Sequence, residues 1–360
     1  MLNDMFVIDS VSHAYDVGPS NYRVVDAATA ISHMVYGIVS AAPPPYAMAP
    51  EAWLRNWTTD EVADMLFRQS TTDFSVFHPT PIYAYHDGMT SVEKAADVVK
   101  RWPTRFRAYA TVDPMRGQAA IDELDRQVEL LNPLGVKFYP SSWTSDHHRG
   151  WRMDDPEIAY PVIERAREHG LVVAIHKAVP FGNVPMNPYK VDDLDTAAAT
   201  FPDVNFEIVH GGVAFIEETA WLAARFPNVW INLEGTTMLL HSRPRLFADI
   251  ILGLCKLGGA TVLPRLLWSS GCMAYHPRPL LEAFAEFSFP QDMLEVSGNM
   301  APVPQLTEAD KRGILGENYA RLHGLDIEQL KADMSDDPFS ARDPEHLDEP
   351  FASSAATVPA

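Results

Sequence analysis

Four histidines in this sequence, His13, His78, His176 and His210, stand at or just beyond the ends of short apolar runs. A neutral imidazole offers a lone pair near pH 7 and is the commonest protein ligand for transition metals. Glu234 follows the run 229–232 and adds a carboxylate of similar placement, as catalytic group or metal ligand. Lys137 lies inside the run 135–139, and if buried it acquires a lowered pKa and a catalytic role, because desolvation disfavours its charged form. Imidazoles with a carboxylate suit zinc, iron or manganese. Each residue also has a plainer reading. A strand-end histidine can simply bond a backbone carbonyl, and Glu234 can pair with a neighbouring loop. Lys137 is an ordinary surface residue unless Val136 and Phe138 face outward. His33, His241, His323 and the pair His147-His148 read as solvated, while His86 and His276 reach the same place only from loops.

These side chains cooperate only if the runs that carry them converge. The runs are 6–9, 74–77, 106–112, 135–139, 171–175, 205–209, 229–232 and 265–268. Between them lie stretches such as 119–131 and 160–169, whose apolar residues recur at helical spacing. Strands alternating with helices and apolar on both faces predict a parallel sheet. Eight such units predict closure into a (β/α)8 TIM barrel, whose strand C-termini share one mouth where barrel enzymes keep their chemistry. No glycine-rich phosphate loop follows the first run, which argues against a dinucleotide fold.

The 360 residues, 47% of them hydrophobic, suffice for one large core. The barrel is expected over 1–332, with an insertion at 14–72 that either caps the mouth or packs on a partner. The acidic, proline-punctuated segment 333–360 reads as a tail, disordered or draped over a neighbouring subunit. A net charge of −20 repels phosphate backbones and argues against nucleic acid. No run approaches the ~20 apolar residues of a membrane span. Two cysteines and the lack of a basic, apolar leader point to the cytoplasm.

Three longer segments carry a family likeness: Gly135-Val136-Lys137-Phe138-Tyr139-Pro140, Phe206-Glu207-Ile208-Val209-His210-Gly211-Gly212, and 306–322. Through them the chain resembles the amidohydrolase-related family that includes the aminocarboxymuconate-semialdehyde and resorcylate-type decarboxylases. The resemblance implies a metal-dependent barrel enzyme with His176 and His210 among the metal ligands. It also brings out two departures. The family opens on Asp-x-His-x-His, whereas here Asp9-Ser10-Val11-Ser12-His13 has lost the first histidine to Val11. The family ends its last strand with Ser-Asp, whereas here the pair is Ser270-Gly271. Valine and glycine side chains have no donor atoms.

Either the site has decayed, or its ligand set has been rebuilt from His13, His78, His176, His210 and Glu234. A more distant likeness to the oxygenase branch of the superfamily, which includes the 2-aminoisobutyrate hydroxylase, implies a dinuclear iron or manganese–iron site. On that likeness the chain hydroxylates a small amino or carboxylic acid with O2 and pairs with a paralogous barrel subunit. The alternatives are a zinc- or manganese-dependent hydrolase or decarboxylase, and a non-catalytic barrel in a homo- or hetero-oligomer.

Overall fold

A computed structural model describes residues 2 and 4–355, apart from 142–149, 179, 183, 300–301 and 344. Eight parallel strands pair in sequence order: β1 Ile8–Ser12, β2 Phe74–Phe77, β3 Phe106–Ala110, β4 Gly135–Phe138, β5 Val172–His176, β6 Phe206–Val209, β7 Val229–Asn232 and β8 Leu266–Leu267. Each apolar run expected to be a strand is one. Their residues are buried on both faces, as strands sandwiched between an interior and a helical coat must be.

The ring closes between β8 and β1. Ser10 N–H donates to the Trp268 carbonyl at 3.2 Å, and Ser12 bridges Cys272 in parallel register. The Asp9 carboxylate reinforces this seam, accepting at 3.0 Å from both Ser269 Oγ and Ser270 N, and also from Ser270 Oγ. Burial raises the Asp9 carboxyl to about 6 although these donors favour its ionised form. The aspartate of the opening motif therefore acts as a seam bond, not as a cavity group.

Local sequence signals set the helices of the coat. Thr58 and Glu61 form a capping box that starts the helix Thr59–Phe67, and Ser91 caps Val92–Arg101. Asn132, in the left-handed region, ends Gln118–Leu131. Among the described residues, no single helix is long and apolar enough to cross a membrane.

Two segments differ from the minimal barrel. In the insertion, Thr59–Phe67 is the regular helix between β1 and β2, so the added part is what precedes it. Its main helix, Val25–Val39, turns Met34, Val35, Ile38 and Val39 toward the barrel mouth.

The acidic tail, expected as disordered chain or as a strap on a neighbour, instead docks through its described residues on its own barrel. Arg105 pairs with Asp337, their side chains 6% and 5% exposed, and Arg342 pairs with Asp73 at 2.8 Å. Phe339 inserts between Phe67 and Trp102, with ring centroids 5.1 and 6.1 Å away. Further on, Phe351 packs against Trp57 and His276. Composition hid this because a few anchors among many acidic residues suffice once the barrel presents matching arginines.

Candidate metal and active site

A cavity of about 290 Å³ lies at the C-terminal ends of the strands. Met34, Val35, Ile38 and Val39 of the cap and Phe181, Val213 and Met238 of the barrel loops make its walls apolar. Its polar groups are His13, Lys137, His176, His210 and Glu234, with Tyr15 and Tyr139 beside them. Five of the six residues singled out from the sequence thus share one cavity.

The sixth does not line it. His78 is buried beneath the mouth, its ring 4.3 Å from that of Tyr109 and its Nε2 bonded to the Ser10 carbonyl at 2.9 Å. A strand-end position fixes where the backbone leaves the barrel, whereas the rotamer decides which layer the ring enters. For this histidine the plainer reading describes the contact that is made.

At the ends of β5, β6 and β7, three groups form a chain. Glu234 Oε2 lies against His210 Nδ1, and His210 Nε2 faces His176 Nδ1 at 2.7 Å. An ionised carboxylate only accepts, so His210 carries its proton on Nδ1 and presents the Nε2 lone pair. Glu234 thereby sets the tautomer of His210, as carboxylates do for metal-binding histidines. Burial opposes ionisation of Glu234, but His210, Lys137 and His13 outweigh it and hold the carboxyl at about 2.

His13 approaches from β1. Its Nδ1 meets the His78 carbonyl at 2.7 Å and Thr80 Oγ1 at 3.1 Å, and its ring stacks on Tyr15 at 5.0 Å. Burial lowers its pKa to about 4, against the attraction of Glu234, so the ring is neutral at pH 7.

Lys137 points inward, while Val136 and Phe138 pack outward among the helices. The side chain is 1% exposed, and its ammonium stands 5.3 Å from the Tyr139 ring centroid. Burial lowers the amine to about 8, with Glu234 and Glu207 opposing the fall. Among the described residues, no carboxylate lies within salt-bridge distance of it.

The two departures from the motif have different structural answers. Val11 is fully buried in an apolar cluster with Phe74, Val76 and Tyr109. Gly271 leaves space that the Glu234 carboxylate uses, since a Cβ at 271 would lie 2.6 Å from Glu234 Oε1. Three imidazoles and one carboxylate are donors of the kind divalent transition metals take, and they share one cavity. They do not form a closed cage, because among the described residues no three His, Cys, Asp or Glu side chains gather tightly enough to hold a metal.

Sequence reasoning missed three participants. The cap residues and Phe181 give no periodic signal at the mouth, and His323, read as solvated, belongs to a buried network. His276 is buried and caps the helix Pro277–Glu286 instead of reaching the cavity. His147 and His148 lie outside the described residues.

An eight-stranded parallel barrel with histidines and a carboxylate at its C-terminal mouth defines the class of the metal-dependent barrel enzymes. The amidohydrolase family profile matches residues 39–325, and the chain belongs to that family. No curated protein matches the chain significantly. Among solved structures it is similar to 5-carboxyvanillate decarboxylase from Sphingomonas paucimobilis, with 17% identity and a TM-score of 0.55 over 90% of this chain and 100% of that one. A 5-carboxyvanillate decarboxylase from Novosphingobium aromaticivorans, complexed with manganese, gives 13% identity and 0.56 over 89% and 97%. The 4-oxalomesaconate hydratase of Rhodopseudomonas palustris gives 17% and 0.53 over 91% and 98%. At these identities the likeness is one of fold.

Proposed function

We propose that this amidohydrolase-family protein is a divalent-metal-dependent lyase that decarboxylates a small carboxylic acid with an apolar body. The observation that carries the reading is the Lys137 amine, sealed in an apolar cavity with no carboxylate partner of its own among the described residues. A buried cation whose carboxylates, Glu234 and Glu207, act on it only through space is costly, and a substrate carboxylate would supply a direct partner. The similar fold of two decarboxylases and a hydratase supports a lyase over a hydrolase. So does the β8 position, where the residue expected to activate water is Gly271 and the nearby Glu234 is already engaged with His210.

His13, His176 and His210 would hold the metal, with Glu234 orienting His210. The bound cation would supply positive charge to a substrate oxygen; manganese is the ion seen in the Novosphingobium decarboxylase. The chain's own residues do the rest. The apolar walls enclose the body of the substrate and exclude water. Lys137 pairs with its carboxylate. When the C–C bond breaks, carbon dioxide leaves and the electron pair stays on the substrate carbon. Lys137, its amine lowered by burial to about 8, then donates the proton that carbon requires. Each turnover consumes one proton.

The dinuclear oxygenase reading has less support, because His78 turns to the Ser10 carbonyl and leaves fewer donors in the cavity. One experiment separates the readings. The purified chain, loaded with Mn2+, Fe2+ or Zn2+, is incubated with hydroxybenzoates and branched aliphatic acids while CO2 and O2 are followed together. CO2 release without O2 uptake is expected, and it should vanish in Lys137→Met. O2 uptake in step with product would replace the lyase with an oxygenase.

A further inference from the structure

Beneath the cavity, the barrel interior carries a polar line that the site described above does not use. Glu207 of β6 is fully buried, and its Oε2 meets the Tyr109 hydroxyl of β3 at 2.7 Å. The same hydroxyl lies 3.0 Å from His323 Nε2, on the helix Asn318–His323 that closes the bottom of the barrel. Asn232 donates to the other Glu207 oxygen at 2.5 Å. The Tyr109 ring crosses the interior through a slot left by Gly135, where a Cβ would lie 2.7 Å from its Cζ. This is a built arrangement, since any larger residue at 135 would expel the ring.

The proton count gives the line a direction. Burial lowers the His323 pKa to about 3, so the neutral ring keeps one bare nitrogen. In one arrangement that nitrogen is Nε2, toward Tyr109. The Tyr109 hydroxyl fills it with its only hydrogen, so its oxygen must accept from Glu207, which is then the protonated carboxylic acid. Burial favours that form of Glu207. A second arrangement is equally well bonded, with Glu207 ionised, Tyr109 donating to it and His323 doubly protonated. The two differ only by shifting one hydrogen across each of the two hydrogen bonds.

The ends of the line lie in different places. Lys137 of β4 and Glu207 of β6 stand in register on either side of Ala174 of β5, which places both at one level of the barrel interior. His323 is half-buried and lines a cavity of about 280 Å³ with Leu134, Arg167, His169 and Asp203 at the N-terminal face. We propose that Glu207, Tyr109 and His323 form a proton relay that connects the floor of the active cavity with solvent at the opposite face of the barrel. The inference rests on the lyase reading insofar as that reaction consumes a proton in a cavity capped by apolar residues. The relay would then recharge Lys137 after each turnover. The other groups facing it are Asn232, Tyr319, which sits beside Tyr109, and His78, tilted against the Tyr109 ring.

Tyr109→Phe breaks the line while keeping the ring in its slot. With manganese-loaded enzyme and a substrate that the parent decarboxylates, the first turnover should proceed at the parental rate on the proton Lys137 already holds. Later turnovers should slow tenfold or more, leaving a burst of one product per site, and a small permeant acid such as formic acid should restore them. His323→Gln should behave likewise. Equal slowing of first and later turnovers, or no slowing of either, would overturn the relay. If the parent decarboxylates nothing, the lyase reading fails on its own, and infrared spectroscopy tests the relay instead. The C=O stretch of a protonated buried carboxyl should be present in the parent, absent in Glu207→Gln and shifted in Tyr109→Phe. A parent without that band, or a band indifferent to Tyr109, would sink it.

Discussion

The Glu234 carboxylate occupies the space that a side chain on Gly271 would need, with Oε1 2.6 Å from where the Cβ would stand. The two positions are complementary. A carboxylate from β7 fits because the segment after β8 has none, and Gly271, at φ 69°, also sits where an L side chain is strained.

Gly271→Asp is therefore expected to destabilise the protein, by roughly 1–2 kcal/mol from backbone strain alone and further from the collision with Glu234. Adding Glu234→Gly should remove the collision but not the strain, so the double variant should unfold between the single variant and the parent. Thermal unfolding of the parent, the two single variants and the double variant checks this. Additive losses from the two changes would show that the side chains do not compete.

His176→Ala and His210→Ala are each expected to lower bound metal severalfold, since facing nitrogens of these two rings stand 2.7 Å apart in the cavity. His78→Asn should leave metal content near the parental value, because that ring bonds the Ser10 carbonyl. Elemental analysis after loading with Mn2+ decides. Loss of metal in the His78 variant would return it to the ligand set.

Lys137→Met should raise stability at neutral pH while abolishing carboxylate binding. The folded amine titrates at about 8 against an ordinary 10.5, so the unfolded chain holds the extra proton between those values. The penalty is complete below pH 8 and fades as pH rises toward 10.5. The variant should accordingly exceed the parent by roughly 1–3 kcal/mol at pH 7, with the gap closing above pH 8. Denaturant titrations at pH 7 and 10 test the sign. A variant less stable than the parent at both would mean that the ammonium is well solvated or paired.

Truncation after Ala332 should destabilise the chain, contrary to what the composition of the tail suggests. It strands Arg105 and Asp73 without Asp337 and Arg342 and uncovers the groove between Phe67 and Trp102. Removing one partner of a buried ion pair costs about 3–5 kcal/mol. A melting temperature within a degree of the parent's would show that the strap contributes nothing.

The sequence by itself determined the barrel, because each strand announces itself as a short apolar run and eight such units joined by helical segments leave one closed architecture. It also brought His13, His78, His176, His210 and Glu234 to one mouth, since strand ends of a parallel barrel must converge, but left open which way Lys137 faces, and the outward packing of Val136 and Phe138 settles that. Family motifs exposed Val11 and Gly271 as departures. What only the tertiary structure decided were choices between rotamers and between distant partners. His78 and His13 occupy equivalent sequence contexts, yet one ring turns down onto Tyr109 and the other lines the cavity. His323 reads as a surface residue until the helix carrying it closes the barrel floor against Tyr109. The tail reads as solvated until Arg105 and Asp73, more than 200 positions away, meet its charges. Such pairings depend on three-dimensional proximity, and neither periodicity nor composition encodes it.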